Sequence, residues 1–328
     1  MKGKTDSMSE SNENKGNKEG KEFRTSIGGQ ALIEGIMMRG PAKDAVVVRT
    51  KDGLVTKVEE QKLLKDKYPI VGLPFIRGVI NFGNSMSTGV RSLMFSADQM
   101  PEEEQEDPSK FDAWIEKKFG NEKAEKALIT FAVIFGIAFS VGLFILLPTF
   151  LAGFLTDIIE NRILRNLAEG LLRILIFVAY LGLTTRLNDI KRVWAYHGAE
   201  HKAIACYEKG LPLTVENVMQ QPKQHPRCGT SFMFIVMIVS ILVFSFTTWD
   251  NLWIRIALRL LLLPVVVSIS YEIIKLAGRY DNLLTRVISA PGKALQRLTT
   301  REPDEEMVEV AIESMKLVIP ENAEQAAW

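Results

Sequence analysis

The apolar positions of the chain gather into four long runs: Leu128 to Leu147, Gly170 to Leu187, Ser231 to Thr247 and Leu252 to Leu276. A stretch of roughly 20 apolar residues is what a helix needs to cross a hydrocarbon core. In lipid such a stretch can satisfy its backbone only as helix. The first run carries no charge, the second contains Arg173, and the fourth contains Arg255, Arg259 and Glu272. The third is short, but the fourth follows almost at once, so the two read as a helical hairpin. The pattern predicts four transmembrane helices.

Outside these runs the periodicity changes. Ala45 to Glu60 has β-branched residues on both sides of Asp52-Gly53, a hairpin signal. The glycine-rich stretch from Gly28 to Pro41 reads as a strand or tight turn packed on that hairpin. Pro74 to Ala97 reads as a helix with glycines at 78, 83 and 89. It is too polar for a span and fits an interfacial or re-entrant helix packed on the bundle. An acidic linker, Glu102 to Asp107, precedes an amphipathic helix expected over Phe111 to Lys126. Near the end, Thr300 reads as a helix cap and Pro303 as part of the first turn. Met307, Val310, Ala311, Ser314 and Leu317 continue as one face, expected to dock on the hairpin unit or a partner.

The expected fold is therefore mainly α, a membrane protein with four transmembrane helices, an interfacial helix and a small cytoplasmic unit containing a β-hairpin. Residues 1–22 read as a disordered tail, 23–127 as the β-containing unit and 128–286 as the membrane domain. Residues 287–328 hold the C-terminal helix.

Charge refines this picture. The 328 residues carry a formal net charge of +1, and no basic excess points to nucleic acid. No signal peptide is evident at the N-terminus. Basic residues stand before the first span, in the loop at 188–230, and after the last span, whereas the other two connections are short and roughly neutral. By the positive-inside rule both termini and the loop face the cytoplasm. In that reducing compartment Cys206 and Cys228 are expected as thiols. Arg173, Arg255 and Arg259 are expected to snorkel toward Asp157, Glu160 or Asp250. Glu272 would pair with Lys275 or Arg279, or complete a metal site.

All three histidines and both cysteines fall between His197 and Cys228. His197-Gly-Ala-Glu200-His201 has the form H-x-x-E-H. On a helix the two imidazoles lie one turn apart and can share one metal ion, most simply zinc. Glu200 projects about 100° from His201, close enough to act as a base on water at the metal. The five residues resemble the motif of the inverted zinc peptidases, whose two histidines are ligands and whose glutamate is the base. That family takes its third ligand from a glutamate on a soluble helix, whereas the comparably spaced acid here, Glu272, lies in a span. His225-Pro-Arg-Cys228 offers a second ligand pair. Cys206 reads as a buried structural thiol. Three protein ligands would leave a position open for catalysis, while four would make a structural site.

Several stretches together resemble the YqhQ-like family of bacterial multi-pass membrane proteins. They are GGQALIEGIMMRGP at 28–41, PFIRGV at 74–79, YHGAEHKAI at 196–204, HPRCGTSF at 225–232, SYEIIKLAGR at 270–279 and LQRLTTREP at 295–303. The resemblance covers nearly everything after the tail. It implies a bacterial multi-pass membrane protein, and the family's label, predicted metal-dependent enzyme, implies metal chemistry without naming a reaction. Substrates within reach of the inner face are membrane lipids, lipid-linked intermediates and membrane-adjacent peptides. A non-catalytic assembly or regulatory factor with a structural metal is the first alternative. A transporter using the intramembrane charges is the second, and four spans without repeats would then require a homo-oligomer.

Overall fold

The computed structural model describes residues 23–61, 68–100, 121–155, 158–246, 251–280 and 282–327. The expected tail, the acidic linker, residues 111–120 of the expected amphipathic helix, Asp157 and Asp250 lie outside them. The architecture is mainly helical, with one four-stranded antiparallel sheet. Strands β1 (Gly28–Leu32), β2 (Gly35–Arg39), β3 (Lys43–Thr50) and β4 (Gly53–Glu60) form a meander in chain order. Ile36 pairs with Val47 and Met38 with Ala45 across the central strands. Gly53 turns the last hairpin at φ 124°, where a Cβ would be strained.

The sheet is covered on both faces, which explains why its central strands are apolar without strict alternation. Helix α1 (Ile76–Asp98) lies on one face, where Phe95 packs against Leu32, Met37, Val46 and Val48. The other face carries α5 (Asn188–Glu208) and α10 (Glu305–Val318), which bury Ile36, Met38, Ala45 and Val47. The C-terminal helix thus docks on the sheet as its apolar face requires. Its cap is Asp304, whose side chain accepts from the backbone N–H of Met307 at 2.8 Å. Thr300, the expected cap, instead ends the preceding helix, α9 (Leu283–Thr299).

In the apolar half, α2 (Asn121–Val141) passes through a π-turn at Gly142–Leu146 into α3 (Leu147–Gly153). Then come α4 (Arg162–Thr184), the five-residue α6 (Val215–Met219), α7 (Gly229–Ser245) and α8 (Leu252–Arg279). Three stretches are long and apolar enough to cross a membrane: Thr130–Gly153, Ile163–Thr184 and Trp253–Arg279. The fourth expected span, α7, has only 17 residues, about 25 Å of helix. It is nevertheless the helix around which α4, α8 and α9 pack.

Helix α1 runs from this bundle to the sheet. At its start Gly78 lies against α8, and an added Cβ would come 3.0 Å from the Cα of Ser268 and the Cβ of Tyr271. At its far end the hydroxyl of Ser96 donates to the carbonyl of Ile33.

Arg173 and Arg259 do not snorkel as expected. Arg259 and Arg173 are 3% and 6% exposed and share Glu169, itself 2% exposed. Arg259 grips both carboxylate oxygens, one at 2.7 Å, while Arg173 reaches the same group at 3.4 Å and Ser240 Oγ at 2.8 Å. Thr149 Oγ1 donates to Glu169 at 2.8 Å. Glu169 precedes Arg173 by one turn of α4, so the partner was local in sequence yet just outside the apolar run. Removing one member of a buried charge set strands the others and costs about 3–5 kcal/mol. Glu169→Gln is therefore expected to lower the thermal unfolding midpoint in detergent sharply, and an unchanged midpoint would show that the arginines find other partners.

Candidate metal centre

The second apolar helix does not continue into the histidine helix. The chain breaks at residues 185–187, and Leu187 caps α5 with extended backbone. Asp189 in the first turn favours the positive end of the α5 dipole. The next turns are covered on every side: residues 195–204 are all buried, with the sheet and α10 on one flank and the loop after α6 on the other. His197 and His201 therefore face the interior of the protein.

Cys228 completes the group. It caps α7, and its Sγ accepts from the backbone N–H of Thr230 at 3.5 Å. The ligand atoms of His197, His201 and Cys228 all lie within 4.8 Å of one another. His197 Nε2 is 3.1 Å from Cys228 Sγ. A tetrahedral zinc set, with Zn–N of about 2.0–2.1 Å and Zn–S of about 2.3 Å, places its ligand atoms roughly 3.5 Å apart. The observed separations, all within 4.8 Å, are compatible with that value.

The tautomers follow from the outer partners. His197 Nδ1 lies 2.7 Å from the carbonyl of Thr299, and His201 Nδ1 lies 2.7 Å from the carbonyl of Lys223. A carbonyl oxygen only accepts, so each Nδ1 carries its proton. In the neutral rings each Nε2 then presents a lone pair toward Cys228. His201 Nε2 is buried and has no hydrogen-bond partner among the described residues. Imidazoles held by backbone carbonyls through Nδ1, with both Nε2 atoms converging on one sulfur, form the arrangement typical of metal-bound histidine.

Electrostatics favour an ionised thiol. Burial opposes charge on Cys228, but the neighbouring His197 and His201 outweigh it and hold the thiol well below its ordinary range. Its place at a helix N-terminus acts in the same direction. Burial lowers His197, yet the Cys228 charge and hydrogen bond raise it to about 9. Glu200 is 4% exposed, and burial raises its carboxyl. It packs beside Gly29 of β1, where an added Cβ would come 3.0 Å from the carboxyl carbon. Its Oε2 is buried without a hydrogen-bond partner among the described residues.

The other expected ligands are placed elsewhere. The His225 ring lies tilted beside that of His201 at 5.7 Å between centroids, but its Nε2 turns to Glu208 at 3.4 Å and to Arg227 at 3.3 Å. Glu272 is gripped by Arg77 through both carboxylate oxygens, one at 2.8 Å, and stands outside the His–His–Cys group. Cys206 is buried with its Sγ toward the carbonyl of Pro212 at 3.6 Å.

Residues missed in the sequence hold the site together. Gln296 of α9 is fully buried and clamps the backbone of His225 from both sides, accepting from its N–H at 2.8 Å and donating to its carbonyl at 2.7 Å. Glu208 accepts from Thr25 N at 2.8 Å and pairs with Arg227. It lies seven residues after His201, on the same helical face, so its periodicity was a usable signal. Gln296 left no such signal. Glu34 receives both Arg192 and the Tyr196 hydroxyl, tying α5 to the β1–β2 turn.

Gly198 has a purpose visible only in three dimensions. The chain at Thr299–Arg301 crosses α5 so closely that a Cβ on Gly198 would fall 2.0 Å from the carbonyl of Arg301. The same crossing delivers the Thr299 carbonyl to His197 and the Arg301 N–H to the Trp194 carbonyl at 2.8 Å. Gly198→Ala should cost about 1–3 kcal/mol of stability by overpacking. Chemical denaturation would check it, and a variant as stable as the wild type would mean that the crossing is loose.

Comparison with known proteins agrees with the resemblance drawn from the motifs. A family model described as "Protein of unknown function (DUF1385)" matches residues 73–321. The "Uncharacterized protein YqhQ" of Bacillus subtilis (strain 168) is 35% identical over 293 residues, covering 88% of this chain and 91% of that protein. No solved structure matches the chain. With the matched family model spanning His197, His201, Cys228 and most of the fold, the chain belongs to the DUF1385 family of YqhQ-like proteins.

Proposed function

We propose that this protein is a multi-pass membrane metalloprotein with hydrolytic chemistry at the cytoplasmic face of the bilayer. In this reading α7 joins the three longer helices as a fourth span, and α1 lies along the interface. Both termini, the sheet and the metal centre lie on the inner side. The observation that carries the proposal is the buried lone pair of His201 Nε2, which converges with His197 Nε2 and Cys228 Sγ and has no donor of its own among the described residues. A donor set of two imidazoles and one thiolate suits a divalent ion of the zinc type.

A metal held there would supply Lewis acidity. The chain's own residues do the rest. Thr299 and Lys223 hold the two rings by their Nδ1 protons, so both Nε2 atoms stay aimed at one point. Glu200, whose carboxyl burial raises toward the pH of its work, is the group to take a proton from water and return it to a leaving group. The sheet and α10 exclude bulk solvent from its flank. Lipid headgroups, lipid-linked intermediates and membrane-adjacent peptides are the substrates within reach.

A second reading is favoured by burial. His197, His201 and Cys228 are 8%, 1% and 9% exposed, as in a site that only staples the loop to α5. Such a protein would be an assembly or regulatory factor.

Protein purified without chelator is expected to hold about one divalent ion per chain, and His197→Ala or Cys228→Ser fewer than about 0.2. Elemental analysis decides this, and a wild type below that level would sink the proposal. Glu200→Gln is expected to keep the metal and abolish function in a complementation assay. A variant retaining both would identify the stapling role.

A further inference from the structure

A groove of about 940 Å³ lies between α1, the end of β4 and α8. Its size falls within the range of about 300–1,000 Å³ usual for small-molecule sites. Helix α1 turns one polar stripe into it. Asn81, Asn84, Ser85, Thr88 and Arg91 follow helical spacing and share one face. The opposite face of the same helix shows Val79, Phe82 and Met86, all exposed.

The groove is braced on two sides. Arg39 of β2 grips both carboxylate oxygens of Asp44 at 2.9 and 3.1 Å and donates to Ser85 Oγ at 3.0 Å, which ties the sheet to α1. Gln61 donates to the same carboxylate at 2.7 Å and to the Gly40 carbonyl at 2.9 Å. Across the groove Asn81 Nδ2 donates to the Tyr271 hydroxyl at 2.8 Å, which ties α1 to α8.

Charge here is balanced. Arg39 and Arg91 line the groove with Asp44, Glu59 and Glu60, and Lys57 reaches Glu59 at 2.9 Å from beside it. Three cations against three carboxylates leave no net field to draw an anion or a metal ion. What the groove offers is hydrogen bonding of both kinds. Asn84 has no hydrogen-bond partner among the described residues, so its amide is open to donate and to accept. The Tyr271 hydroxyl accepts from Asn81 and keeps its own proton to donate. Arg91 engages one of its N–H donors, with Thr88 at 3.2 Å. Glu60 makes no ion pair among the described residues and can accept. Closely spaced donors and acceptors match neighbouring hydroxyl groups, each of which does both. An apolar ligand would leave them unpaired.

We propose that this groove binds a saccharide. Tyr271 belongs to the membrane-length stretch Trp253–Arg279, and the exposed apolar face of α1 adjoins the groove. That setting suits a sugar carried as the headgroup of a glycolipid, with its acyl chains along α1. Saccharide binding does not rest on the metal reading.

The test uses the full chain in a polyoxyethylene detergent, since a sugar-headed detergent would occupy the site. Calorimetry compares short-chain diglucosyl and digalactosyl diacylglycerols, the matching free disaccharides, and phosphatidylglycerol and phosphatidylcholine with the same acyl chains. At least one glycolipid is expected to bind about tenfold or more tightly than either phospholipid, with an affinity that added salt leaves unchanged. A free disaccharide weaker by a similar factor would assign the groove to a glycolipid, whereas equal affinity would assign it to a soluble saccharide.

Asn84→Ala and Tyr271→Phe should each lower the affinity by about tenfold, the worth of one or two hydrogen bonds. The first removes an exposed amide and the second keeps the ring, so circular dichroism should show the fold intact. Ser87→Ala, exposed on α1 but outside the groove, should leave binding unchanged. The proposal is overturned if no saccharide probe binds, if the phospholipids bind as well as the glycolipids, or if both groove substitutions are without effect. Chelator-stripped protein should bind the saccharide equally well, so failure here and failure of the metal reading are separate results.

Discussion

Two hydrogen bonds organise the functional half of this protein: those from the Nδ1 atoms of His197 and His201 to the carbonyls of Thr299 and Lys223. Each fixes a flexible ring with its Nε2 on the far side, toward Cys228. The carbonyls come from segments 102 and 22 residues away in the chain, so the site exists only when α5, the loop after α6 and the end of α9 are assembled together. Much of the surrounding detail serves that assembly. Gly198 leaves room for the chain at Arg301, Gln296 clamps His225, and Cys228 caps α7 while offering its sulfur.

The sheet contributes a wall rather than a ligand. Its two central strands are buried on both faces, and α5 packs beside α10 on one of them. That packing sets Glu200 against Gly29 and keeps its carboxyl buried. A glutamate on the same helix without this covering strand would be an ordinary surface acid. The chemistry assigned to Glu200 thus depends on β1 as much as on the motif that contains it.

Charge is sorted to the two ends of the apolar bundle. Glu169, Arg173 and Arg259 form a closed set near the starts of α4 and α8. At the opposite end of those helices stand Glu208, Arg227 and His225. The first set is paired internally and binds the helices to one another. The second ties the loop after α6 to α5 through Glu208.

The sequence by itself determined the elements whose cause is local. The apolar runs, the Asp52-Gly53 hairpin, the amphipathic C-terminal helix and the H-x-x-E-H spacing were all legible, because periodicity and turn chemistry act over a few residues. The gathering of histidine and cysteine in one stretch marked where the site would be. Only the tertiary structure decided which of those groups meet. It brought His197, His201 and Cys228 together, turned His225 to Glu208 and gave Glu272 to Arg77, because side-chain direction depends on how separate helices cross. It also made a buried ion cluster of arginines expected at the surface, since Glu169 lay just beyond the apolar run that a hydropathy reading isolates. The helix that fell short as a span became the centre of the bundle for the same reason: packing neighbours, not length, set its place.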